Sequence, residues 1–334
     1  VVDGFRPIVG EPLTRQASPS GETAPIVSMA PLKGITDYLF RRVYTSHFSG
    51  IDRAIAPFIN PQRKGPYPDK LIADVLPENN SSLTLIPQII NTEPEGFIEL
   101  ANRLYDIGYT EINWNLGCPV RMVASKRRGA GMLPYPEEIA ALLDTAIPQM
   151  KPALSIKMRL GYQEVHESQT LLPMLNDYPL SEIIIHPRLG IQLYRGTPDL
   201  DQFKACSART AHRLVYNGDI INLSGFSELQ QRCAPVNRWM IGRGLLSNPF
   251  LPAEIKGIRF SSDERSEKLQ LFHDDLYHGL KERLSGPGHL LGRMKQVWIY
   301  YIHAFPGKEK LLKKITRAPS EKSYLKAVDA VLER

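Results

Sequence analysis

Cysteine is scarce in this chain of 334 residues: Cys118, Cys206 and Cys233 are all it has. They are widely spaced, odd in number and form no CxxC pair. That argues against a disulfide framework and a structural zinc site, leaves no metal expected, and points to a reducing cytoplasm. Long hydrophobic runs are missing too. No apolar stretch nears the roughly 18 residues needed to cross a bilayer, so no membrane role is expected. Residues 1–24 lack the basic-then-apolar layout of a signal peptide; rich in Pro, Ser, Thr and Gly, they read as an N-terminal arm. No GxGxxG follows the first strand-like run, which argues against a doubly wound dinucleotide fold.

What the chain does have is enough apolar content for a core, 43%. It also has eight short β-branched or apolar runs, at 26–29, 53–56, 83–88, 111–114, 154–157, 183–186, 213–217 and 239–242. Helical patterns separate most of them. Over 94–107 the spacing puts Phe97, Ile98, Ala101, Leu104 and Tyr105 on one face, and 136–147 does so with Ile139, Leu142 and Leu143. Strands alternating with helices mean βαβ units and a parallel sheet, and eight such units match an α/β fold, the (β/α)8 TIM barrel. After Asn248-Pro249-Phe250 only helical spacing remains. The division expected is an arm over 1–24, a barrel over 25–253 and a small C-terminal helical bundle over 254–334, its aromatic and Met stripe serving as core.

In a barrel of this kind functional residues sit at the carboxyl ends of the strands. The unusual polar residues are found there: Gln88, Asn115, Cys118, Lys157, His186, Asn217 and Arg243. The segment Asn115-Leu116-Gly117-Cys118-Pro119 ends the fourth strand in a tight turn bearing a thiol. With an ordinary pKa of roughly 8.5, such a thiol keeps a proton to give at neutral pH. Taken alone, Cys118 reads equally well as a buried structural residue. The loops Asn217-Gly218-Asp219 and Gly242-Arg243-Gly244 end the last two strands, where barrels commonly hold a phosphate on backbone amides. Lys157 and His186 suit the polar edge of a flavin, where positive charge would stabilise a reduced ring, and Gln88 offers it an amide.

These pieces together resemble the dihydrouridine synthase family, FMN enzymes that reduce uridines in tRNA. The resemblance rests on Met29-Ala30-Pro31 with Gly34-Ile35-Thr36-Asp37, Pro87-Gln88, EINWNLGCP, Lys126 ahead of Gly129-Ala130-Gly131, KMRLG, His186 with Arg188, Asn217-Gly218-Asp219 and GRGLLSNPF. It runs over roughly residues 25 to 250 in the family's order, and the helical tail agrees with the family's RNA-binding bundle. It implies that Cys118 is the general acid to C5 of uracil, with hydride from reduced FMN going to C6 and NADPH as electron donor. It further implies that Pro31, Leu32, Lys33, Gln88, Lys157, His186, Asn217, Gly218, Asp219, Gly242 and Arg243 hold FMN. Asn115 would position the uracil, and Lys126 and Arg188 would reach the RNA.

Two departures stand out. Leu32-Lys33 occupies the place where the family usually has Met after the strand-one Pro, and the stretches HPRLG and YRGTP differ from the commonest form. A net charge of +6 permits a polyanionic partner without requiring one. Three other readings stay open. They are an FMN barrel acting on a free pyrimidine or other small molecule, a dihydrouridine synthase acting on ribosomal RNA, and a silent RNA-binding barrel. No obligate protein partner is implied.

Overall fold

The structure, a computed structural model, describes residues 24–59 and 67–334; the expected arm lies outside them except for Ala24. Nine parallel strands form one sheet: β1 (Ile26–Met29), β2 (Arg53–Ile55), β3 (Thr84–Ile86), β4 (Gln88–Ile89), β5 (Glu111–Leu116), β6 (Ala153–Gly161), β7 (Leu180–Leu189), β8 (Leu214–Tyr216) and β9 (Arg238–Ile241). The first strand pairs with both β2 and β9, so the sheet curls back on itself. Among the described residues its seam falls between β3 and β4, where Pro87 interrupts a single run. Proline has no N–H to donate and ends a ladder. Its carbonyl still accepts from Asn113 N at 2.8 Å, so the two pieces act as one barrel strand. The expected (β/α)8 barrel is present, with its third strand split in two.

Alternation along the strands divides the apolar residues into two sets. Ala30, Ile55, Ile86, Ile184, Val215 and Met240 form a small cluster of their own inside the barrel. Val27, Met29, Trp114, Ile156, Ile183, Trp239 and the inward faces of the surrounding helices make the larger core. Helix Pro94–Asp106 buries Phe97, Leu100, Ala101 and Leu104, while Tyr105, expected on that face, is largely exposed. At the amino ends of the strands Glu182, 2% exposed, accepts from Arg53 at 2.5 and 2.6 Å and from Arg238 at 3.2 Å. This ion cluster closes the floor, and functional polar groups are left to the opposite rim.

Helices Ser262–Arg283, Pro287–Tyr301, Leu312–Arg317 and Glu321–Leu332 make up the tail. A capping box, Ser261 with Glu264, starts the first of them. Leu269, Phe272, Leu276, Met294, Trp298, Tyr301 and Tyr324 are buried, so the aromatic and Met stripe is core as expected. The basic stretch after Lys308 begins as a 3-10 turn, Glu309–Leu311, before helix Leu312–Arg317. The tail is not merely appended. Phe272 packs edge-on against Phe40, ring centroids 5.7 Å apart, and lies 5.2 Å from Phe48. Asp37, the cap of helix Tyr38–His47, accepts from Arg283 at 2.6 Å and from Arg293. No helix among the described residues is long and apolar enough to cross a membrane.

Candidate active site

A cavity of about 460 Å³ opens at the carboxyl ends of the strands, within the usual size range of cofactor sites. Its lining includes Pro31, Leu32, Lys33, Gln88, Lys157, His186, Asn217, Gly218, Asp219, Gly242 and Arg243, together with Asn115 and Cys118. Only Lys126 and Arg188, among the residues singled out from the sequence, do not line it.

The Cys118 loop is held from three sides. The Asn115 side-chain oxygen accepts from Gly117 N at 3.0 Å and Cys118 N at 2.8 Å. Its amide donates to Gln88 Oε1 at 2.7 Å, and Gln88 Nε2 donates in turn to Asn113 Oδ1 at 2.8 Å. Arg159, 1% exposed, grips the loop from below by donating to Gly117 O at 3.1 Å. From behind, Ala130 N donates to Cys118 O at 3.0 Å. A Cβ at Gly129, whose φ is +57°, would sit 2.6 Å from that carbonyl oxygen, so glycine is required there. Burial pushes the Cys118 thiol up, against the opposing pull of the Val120 amide and of Arg159, Lys157 and Lys33. The group therefore faces the cavity as a proton-bearing thiol at neutral pH.

A set of basic side chains lines the same cavity, beginning with Lys157, the strand partner of Asn115. Burial, helped by Arg159, pulls the Lys157 ammonium down to about 7. His186 is lowered well below its ordinary value by burial and then by Lys157, Arg159, Arg188 and Arg243. The expectation that His186 brings positive charge is corrected: its imidazole is neutral at pH 7. Arg188 Nη1 donates to its Nε2 at 3.0 Å, which leaves Nδ1 as the protonated nitrogen.

Arg188 is the second correction. Expected to reach RNA, it is 1% exposed and donates to Asp219 at 2.5 and 3.1 Å and to Gly196 O at 2.7 Å. A guanidinium buried behind His186 and ion-paired to Asp219 organises the cavity wall instead of the outer surface. Asp219 also accepts from Arg243 at 2.6 Å. Burial works to raise the Asp219 carboxyl, but the hydrogen bonds and charges of Arg188 and Arg243 outweigh it and hold it low. Lys33 extends its ammonium to Phe58 O at 3.0 Å and over the Phe58 ring. Lys126 is exposed on the turn after helix Arg121–Ala124, outside the mouth.

The residues present fit a flat ligand carrying a phosphate. Gly242 caps helix Arg243–Ser247, whose first amides have no intrahelical acceptor, and Arg243 and Gly244 line the cavity beside Gly218. Lys157, His186 and the Gln88 amide line the same cavity. Reading the sequence missed Asn113, Arg159, Tyr194, Phe58 and Tyr300. Arg159 lies in the quoted KMRLG, two residues from Lys157 on the same strand face, and that spacing was its one available signal. Tyr300 comes from the tail helix Pro287–Tyr301, and nothing in local sequence links it to the barrel mouth.

A family model described as Dihydrouridine synthase (Dus) matches residues 28–333. The chain is 27% identical over 302 residues to a tRNA-dihydrouridine(16) synthase of Haemophilus ducreyi, covering 85% of this chain and 89% of that protein. It is 27% identical over 295 residues to a probable tRNA-dihydrouridine synthase 2 of Bacillus subtilis, covering 86% and 88%. Among solved structures, a histamine dehydrogenase from Rhizobium sp. 4-9 aligns with a TM-score of 0.51 at 10% identity. That alignment covers 75% of this chain and 48% of the dehydrogenase, a likeness of fold alone.

Proposed function

This chain belongs to the dihydrouridine synthase family, and from that premise we propose that it reduces uridine to 5,6-dihydrouridine in tRNA in the cytoplasm. The observation that carries the reading is the proton-bearing Cys118 thiol, held by the Asn115 side chain and by Arg159 on Gly117 O, in a cavity also lined by Lys157, His186 and Arg243. The cavity residues would hold FMN, which, once reduced by NADPH, would supply the hydride for C6 of uracil.

The protein's own part is orientation and proton supply. Cys118 gives its proton to C5, and its short arm and fixed turn limit the directions from which it can do so. Asn115 has one amide proton left after its bond to Gln88, and this is the group available to a uracil carbonyl. Lys157, its pKa lowered by burial, would offer the polar edge of a bound flavin a group able to hold or release a proton near neutral pH. The neutral His186 donates from Nδ1, and Asn217, Gly218, Gly242 and Arg243 hold the phosphate. Asp219 keeps Arg243 in place from the opposite side. The uracil must leave the RNA stack to enter the mouth, which costs a few kcal/mol and has to be offset by contacts elsewhere on the RNA.

The test is direct. Purified protein supplied with FMN and NADPH is incubated with tRNA, ribosomal RNA or free uracil, and dihydropyrimidine is measured by mass spectrometry. Product in tRNA supports the reading. Product only in ribosomal RNA or free base transfers the activity to that substrate, and no bound flavin with no product rejects it.

A further inference from the structure

A second cavity, of about 400 Å³, lies beside the Cys118 loop and is used by nothing described above. We propose that it takes the base of a nucleotide adjacent to the target uridine, a site that rests on the tRNA reading just given. It opens at the same end of the barrel, because its walls come from the segments that follow β5 and β6: Ser125, Arg127 and Tyr135 on one side, Tyr162, Gln163 and His166 on the other. The two cavities share a partition. Pro119 and Val120 line the mouth, Ala124 and Ser125 line the second cavity, and helix Arg121–Ala124 lies between them, about 6 Å long at 1.5 Å per residue.

The walls are built and rigid. A Cβ at Gly131 would come within 2.2 Å of Ala124 O, so that segment packs directly on the partition. The Glu167 carboxylate, 7% exposed, accepts from the amides of Tyr162, Gln163 and Glu164 at 2.6, 3.0 and 3.0 Å and fixes the far wall. Arg127 adopts φ +50°, rare for a residue with a side chain, and lays its guanidinium 4.2 Å above the Tyr135 ring while paired to Glu138. Loops of that kind concentrate at binding sites.

The chemistry fits a nucleobase and disfavours a phosphate. Tyr135 and Tyr162 are aromatic walls, and Gln163 and the Nε2 side of His166, whose Nδ1 is paired to Glu164, supply donors and acceptors, the combination that recognises unstacked bases of single-stranded RNA. An anion would meet Glu164 and Glu167, with the Arg127 charge already compensated by Glu138. When the target uridine is extruded, its neighbour loses a stacking partner, and a pocket one short helix away can replace it.

Ser125 is exposed, lines the cavity and belongs to no part of the mouth. Ser125→Trp fills the cavity and Ser125→Ala leaves it open. Both full-length variants and the wild type are loaded with FMN. They are compared on tRNA transcripts that are intact or abasic at either neighbour of the mapped uridine. Ser125→Trp is expected to raise KM about tenfold on intact tRNA, the size of one lost stacking contact, with kcat little changed. Ser125→Ala is expected to match the wild type. Abasic substitution on one side is expected to raise the wild-type KM similarly and to add nothing to Ser125→Trp, because both remove the same contact. Wild-type indifference to abasic sites on both sides, or fully additive losses, would overturn the site while leaving the activity intact. No dihydrouridine with any wild-type reaction would overturn the activity and this site together.

Discussion

Around the barrel mouth stand Lys33, Lys157, Arg159, Arg188 and Arg243, and Asp219, the one carboxylate among the cavity-lining residues described, pairs with Arg188 and Arg243 alone, whereas in the tail most cations meet a protein oxygen. Lys281 pairs with Glu321, Arg283 and Arg293 with Asp37, Lys295 with Ala318 O, and Lys308 with Glu333. The mouth therefore holds an excess of basic groups in a half-dry cavity, where Lys157, His186 and Asp219 are shifted by burial and by their neighbours. The tail, richer in basic residues by count, has many of them neutralised by protein oxygens and leaves the others exposed to solvent rather than gathered in a cavity. Counting cations along a chain cannot separate those that bind a partner from those that hold the fold together.

The largest effect expected in the mouth is chemical. Cys118→Ala should lower dihydrouridine formation by about 10² to 10⁴ while flavin retention and NADPH-driven flavin reduction persist, since only the proton donor is removed. Rapid-mixing absorbance would follow the flavin, and mass spectrometry the product. Wild-type turnover in the variant would return Cys118 to a structural role and remove the chemical half of the contrast with the tail.

Next in size is Arg188. Removing one partner of a buried ion pair costs roughly 3 to 5 kcal/mol, and because Asp219 is about a third exposed a loss of about 2 to 3 is expected for Arg188→Met. Denaturant unfolding measures it, and Arg188→Met with Asp219→Asn should recover part of the loss. The lowered Asp219 carboxyl adds a sign: its stabilisation is present above the unfolded carboxylate pKa and is lost as pH falls through the lower folded value. Arg188→Met should flatten that acid limb. A surface arginine serving only RNA would leave both stability and the acid limb unchanged.

Lys157 sharpens the contrast through pH. Its folded pKa is about 7, while an unfolded lysine keeps its proton to about 10.4. Between those values the unfolded chain binds more protons, so the penalty for burying the ammonium is full below about 7 and is relieved as pH rises. The flavin-free protein should gain melting temperature from pH 7 to 9.5 relative to Lys157→Met. Parallel profiles would mean that Lys157 is as well solvated as a tail lysine.

How much of this was readable beforehand follows from range along the chain. The strands were legible because β-branched runs and helical spacing are local signals, and the mouth residues followed once each was assigned to a strand end. Pro87 was visible, but that it splits a barrel strand is known only once its pairing with β2 and β5 is seen. The sequence stretch HPR offers two basic side chains at i and i+2, yet only packing against Asp219 reveals that Arg188 is buried and His186 neutral. The Asp37–Arg283 and Asp37–Arg293 contacts join residues at opposite ends of the chain, and so does Tyr300 at the mouth. No periodicity encodes such meetings.

The smallest expected effect tests what free charge the tail retains. Lys310, Lys313, Lys314 and Arg317 are exposed and form no ion pair among the described residues, which sets them apart from their five neutralised neighbours. If the tail guides RNA, these four are among the cations free to meet phosphates. Each phosphate contact releases counterions, so its loss should flatten the salt dependence of binding by about 0.7 to 0.9 of a logarithmic unit. Changing Lys310, Lys313 and Lys314 to Ala should therefore reduce the slope by roughly two units and weaken tRNA binding only a few-fold at physiological salt, where exposed charges are screened. Changing Lys281, Lys295 and Lys308 instead should leave the slope within experimental error, because their charges already face protein oxygens. Equal flattening by both triples would show that ion pairs in the tail open when RNA arrives, and the distinction between free and neutralised cations would lose its predictive value.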